Sequence, residues 1–129
     1  MNKTFNDLNF PSFNIMLKFW FEHRDILRKW KTEDDWEWWW VCKDGKNEIF
    51  NKEKTRKVYE RMFVPFFEPL PFAIPCPSLG EMMERLYFKG CSLDKNWEDW
   101  HIHSFSGTIL SRSDTAPNAV AKGLIEVNK

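Results

Sequence analysis

His101-Ile102-His103 is the pairing in this sequence best suited to chemistry. Residues two apart on a strand face the same way, so both imidazoles would share one face at the spacing of a metal-ligand pair. Local spacing supplies no third ligand: His23 falls on a distant predicted helix, and Glu98 and Asp99 are the nearest carboxylates. The pair therefore reads as two histidines on a half-exposed sheet face, with no metal and no cofactor expected. Glu33, Asp34, Asp35 and Glu37 could do acid–base work, but a solvated link between a helix and a strand accounts for them. No Cys or Ser sits in a nucleophile elbow or beside a locally fixed His, and the glycines are scattered singly rather than gathered into a phosphate loop. The expectation is a protein that is not an enzyme.

Stacking chemistry is the stronger signal, because the chain holds eight Trp and twelve Phe. Four of these positions are concentrated in Trp36-Glu37-Trp38-Trp39-Trp40. As a strand, this run puts Trp36, Trp38 and Trp40 on one face and Glu37, Trp39 and Val41 on the other. A sheet between two helix layers would bury both faces. An open sheet would offer the first for stacking on bases or for anchoring a partner. Lys43, Lys46, Lys52, Lys54, Arg56 and Lys57 lie nearby in sequence and could pair with phosphates, as could Arg112 in the second half. The candidate ligand-binding residues are accordingly Trp36, Trp38, Trp40, Trp97, Trp100, His101, His103 and Arg112.

The elements that must position these residues follow from the apolar period. Residues 1–10 carry no period and read as a leading arm. Phe13, Met16, Leu17, Trp20, Ile26, Leu27 and Trp30 predict a helix over 12–30. A Trp-rich strand over 36–42 turns at Lys43-Asp44-Gly45-Lys46 into a partner at Glu48-Ile49-Phe50. Asn51 caps a helix whose apolar stripe is Val58, Tyr59 and Met62. Five of the seven prolines fall in 63–77, which excludes a helix there and permits at most an edge strand. Ser78-Leu79-Gly80-Glu81 is a capping box for a helix over 79–89, with Gly90 at its C-cap. Trp97–Phe105 reads as a strand turning at Ser106-Gly107 into 108–111, and Asp114 or Thr115 caps a last helix carrying Val120, Ala121, Leu124 and Val127.

The chain thus reads as a single domain, 1–129, of class α+β: one αββα half over 11–62, a Pro-rich joint over 63–77, and a second αββα half over 78–128. Its antiparallel sheet of about four strands, in two hairpins, is covered by helices like an αβα sandwich. Trp97-Glu98-Asp99-Trp100 echoes Trp36-Glu37-Trp38-Trp39, an order open to internal duplication or to chance. Lys plus Arg and Asp plus Glu are 19 each, so no net field draws in long nucleic acid or an anionic membrane. No apolar run is long enough to span a bilayer, the first residues lack a leader pattern, and Cys42, Cys76 and Cys91 suit free thiols in a reducing compartment.

From Pro75 onward the sequence resembles the phage αβα-sandwich domain found in small proteins of bacterial viruses and prophages. The likeness rests on Pro75-Cys76-Pro77-Ser78, on Trp97 and Trp100, and on the closing segment Asp114–Leu124 with its Thr115-Ala116-Pro117 start. It departs from that family at the aromatic run 36–40, and at Gly123-Leu124, where an Ala-Ala-Leu-like end is expected. The resemblance implies a sandwich fold and a phage or prophage origin, and no activity. Together these readings predict a non-enzymatic, anti-defence accessory protein in the host cytoplasm. It would sequester a small nucleotide-type ligand, a homodimer seam being one place for such a site. The alternative is inhibition of a host defence factor such as a CRISPR nuclease, and a metal-dependent hydrolase is the third reading.

Overall fold

The computed structural model describes residues 4–32, 35–43, 45–61 and 73–129. Asp44 of the expected turn, Met62 of the expected apolar stripe, Glu33, Asp34 and residues 63–72 of the Pro-rich joint lie outside the described residues. The class is α+β, as expected, with its strands in two three-stranded antiparallel sheets rather than one of about four. The chain gathers into two compact units, residues 25–76 and residues 1–24 with 77–129.

In the unit of residues 25–76, β1 (Trp38–Lys43) is central, with β2 (Lys46–Asn51) on one side and β3 (Ala73–Pro75) on the other. The hairpin β1–β2 closes with Lys43 opposite Lys46 and Gly45 at a φ of 76°, the left-handed backbone that such a turn needs. β3 is an edge strand, the position the prolines allow. α3 (Lys52–Arg61) follows β2 directly, and Asn51 Oδ1 caps it by accepting from the Lys54 amide at 2.8 Å.

β1 starts at Trp38, not at Trp36 as the aromatic run suggested. Its partner β2 passes into α3 after Asn51, opposite Trp38, so no ladder extends further back. Trp36 instead enters a local turn in which its carbonyl accepts from the Trp39 indole at 3.1 Å, and Lys31 Nζ lies 5.2 Å from its ring centroid.

In the other unit, the leading arm carries a short helix, α1 (Phe5–Asn9), which the apolar period did not signal. Its signal was Thr4-x-x-Asp7, a capping box in which each side chain accepts from the other residue's amide at 3.1 Å. α2 (Phe13–Trp30) begins here and carries a non-helical residue at His23, and the boundary between the units falls just after it. His23 Nε2 lies 3.1 Å from the Ile125 carbonyl. α4 (Leu79–Phe88) has the predicted box, Ser78 Oγ accepting from the Glu81 amide, and Gly90 follows at a φ of 74°. Replacing Ser78 by Ala removes that acceptor and is expected to lower stability by about 1 kcal/mol, measured by thermal unfolding followed by circular dichroism.

The second sheet is a meander of β4 (Ser92–Lys95), β5 (Trp100–His103) and β6 (Ile109–Ser113), closed by α5 (Ala116–Val127). Of the two caps proposed for α5, Thr115 is the one used: its hydroxyl accepts from the Asn118 amide. β5 is shorter than the expected strand 97–105. Asn96 Oδ1 accepts from the amides of Glu98 and Asp99 at 3.0 and 2.9 Å, so Trp97 sits in a turn. β4 has no alternating apolar signal of its own and is held by its ladder to β5. α5 packs one face of this sheet. Ser111 Oγ donates to the Ala119 carbonyl at 2.7 Å, and Gly123 brings the helix so close that a Cβ there would stand 2.9 Å from Ile102 Cγ2.

Candidate functional site

The sheet β4–β5–β6 has one face under α5 and one face turned away from it, and alternation decides which side chains go where. Ile102 is fully buried on the α5 side. His101 and His103, one residue to either side of it, therefore share the opposite face and are half-buried, as their spacing predicted.

The cross-strand register completes this face. Asp94 on β4 stands opposite His101, and Arg112 on β6 stands opposite His101 from the other side. Ser92 and Ile109 flank His103 in the same way, with a register shift between Ile102 and His103. Three strands thus place an acid, two imidazoles and a guanidinium in one neighbourhood. Asp94 is the carboxylate that local spacing did not supply. Glu98 and Asp99, the nearest in sequence, belong to the turn that precedes β5.

His103 donates from Nε2 to Asp94 Oδ2, its Nδ1 lies 3.4 Å from the Ser104 carbonyl, and Ser92 Oγ is 3.1 Å from Nε2. The Asp94 hydrogen bond raises its pKa above the ordinary imidazole value. The Ser104 carbonyl and the charge of Asp94 add to this, and desolvation opposes it. The two imidazole centroids are 5.8 Å apart with planes tilted by 38°. His101 Nδ1 is buried and has no hydrogen-bond partner among the described residues. An orphaned polar atom of this kind costs about 1–3 kcal/mol. One ligand atom from each of Asp94, His101 and His103 can be chosen so that all lie within 4.8 Å of one another.

The remaining sequence-predicted site residues are distributed differently. Trp97 is fully exposed, at 100%, in the β4–β5 turn. Trp100 alternates with His101 and so lies on the Ile102 side, where Lys95 Nζ is 5.2 Å from its ring centroid. Arg112 is exposed. Trp36, Trp38 and Trp40 belong to the other unit. Trp36 is only 2% exposed and Trp39 5%, whereas Trp38 and Trp40 are half-buried. In that sheet, Pro75, Trp39 and Phe50 form one buried cross-strand row, and Ile74, Trp40 and Ile49 form the next on the opposite face.

Among the described residues no helix is long and apolar enough to cross a membrane. No protein-family model matches the chain, and neither a curated protein nor a solved structure matches it significantly.

Proposed function

We propose that the chain is a non-enzymatic binding protein that holds a small nucleotide-type anion on the face of β4–β5–β6 turned away from α5. The observation that carries this reading is the cross-strand row Asp94–His101–Arg112 with His103 beside it. Arg112 presents a planar fork of donors suited to a phosphate. His101 has a buried ring nitrogen without a partner among the described residues, and Asp94 is engaged by His103. The Trp97 ring, exposed at the end of the same hairpin, is available for stacking, which contributes about 1–3 kcal/mol per base. The phage or prophage origin, and an anti-defence role in a host cytoplasm, rest on the likeness of residues 75–128 to the sandwich family.

A panel of mono-, di- and cyclic nucleotides tests the binding reading. At least one compound is expected to raise the melting temperature and change Trp fluorescence, and Arg112→Ala to abolish that response. A panel in which no compound moves either signal rejects it.

A second reading, inhibition of a host protein, is favoured by the exposed apolar side chains of the same unit. Phe5, Phe21, Phe88 and Phe105 stand at 66–96% exposure, ready to anchor a partner. Stoichiometric recovery of one protein from bacterial lysate, lost on Phe88→Ser with Phe105→Ser, would establish it in place of the first.

A further inference from the structure

We propose that Asp94, His101 and His103 form a binding site for a first-row divalent metal ion of the Zn2+ class. The inference goes beyond the nucleotide reading and does not rest on it. Two imidazoles and one carboxylate are donors that suit zinc and its transition-metal neighbours, whereas magnesium and calcium call for oxygen alone. The donors come from adjacent strands in fixed register, Asp94 directly opposite His101, with His103 two residues along the same face.

Two further observations point to a ligand at this place. His101 Nδ1 is buried with no hydrogen-bond partner among the described residues, although its neighbour His103 is fully engaged. The Ser104 carbonyl lies 3.4 Å from His103 Nδ1, which leaves Nε2 to face Asp94. Metal-bound histidines commonly have such an outer hydrogen bond, with the far nitrogen donating to a carbonyl while the near one binds the ion. Zinc bonds of about 2.0–2.2 Å hold tetrahedral ligand atoms about 3.3–3.6 Å apart. The three ligand atoms lie within 4.8 Å of one another, in the neighbourhood of that spacing. Three protein ligands leave one position for water or for an anion.

The test uses the full chain, zinc chloride as the probe, and magnesium and calcium chlorides as controls. Calorimetry is expected to give one zinc per chain and no binding of the controls, with His101→Gln and His103→Gln each weakening zinc at least tenfold. Cys42→Ser is expected to bind as the parent does, since thiols compete for zinc. Because a variant can lose its fold, the unmodified protein is also followed by NMR. The ring signals of His101 and His103 move on adding zinc, while those of His23, beside the Ile125 carbonyl, stay in place. Absence of zinc binding, unmoved His101 and His103 signals at saturation, or binding that survives both His substitutions but not Cys42→Ser would each overturn the proposal.

Discussion

Trp36→Ala is expected to lower the unfolding free energy by about 3–5 kcal/mol, the usual cost of emptying the site of a large buried ring. The ring is 2% exposed, and its backbone carbonyl holds the Trp39 indole, so the substitution also disturbs the turn that leads into β1. A domain of this size is stable by about 5–15 kcal/mol, which makes the loss plain in a urea titration. Were Trp36 instead part of an open stacking platform, its removal would leave stability within about 0.5 kcal/mol, as for an ordinary surface position. The half-buried Trp38 and Trp40 give smaller losses when truncated, because less of each ring leaves water on folding.

Gly123→Val is the second substitution with a large expected effect, and here two tendencies compete. A glycine inside a helix is ordinarily destabilising by about 1 kcal/mol relative to alanine, so filling it should help. At this position a Cβ would meet Ile102 Cγ2, Cγ1 and Cβ at 2.9, 3.0 and 3.1 Å. Ile102 is fully buried on β5 and cannot swing into solvent. Overpacking a core of this kind costs about 1–3 kcal/mol, and valine adds two methyl groups to the clash, so stability falls by about 2–3 kcal/mol. Ile102→Ala in the same chain opens room for the new side chain. The double variant is therefore expected to lose less than the sum of the two single changes, which a double-mutant cycle on urea midpoints reads directly.

These two positions also show where the amino-acid sequence was legible. Gly123 carries no local signal in the sequence, and the close approach of α5 to Ile102 supplies its reason. Local chemistry reads well: the Ser78–Glu81 box, the Asn51 cap, the turn glycines at 45 and 107 and the shared face of His101 and His103 each depend on residues a few positions apart. The failures depend on pairing between distant segments. Trp36 alternates correctly with Trp38 and Trp40 on paper, but a strand needs a partner, and β2 ends opposite Trp38. Ser-Leu-Asp-Lys at 92–95 lacks β-branched and aromatic residues, so β4 exists only because β5 pairs with it. With β4 unseen, Asp94 could not be placed beside the histidines, and the third donor went missing with it. Trp97 was drawn into the strand by its type, whereas the Asn96 side chain folds that segment into a turn.

The central claim is that the face of β4–β5–β6 turned away from α5 is the binding surface. Amide and indole chemical-shift mapping of the 15N-labelled full chain against the nucleotide panel tests it most directly. Shifts are expected to concentrate at Ser92–Asp94, His101–His103 and Arg112 and at the Trp97 indole, for at least one nucleotide. Shifts confined to Trp38 and Trp40, or no shifts with any nucleotide, would contradict it.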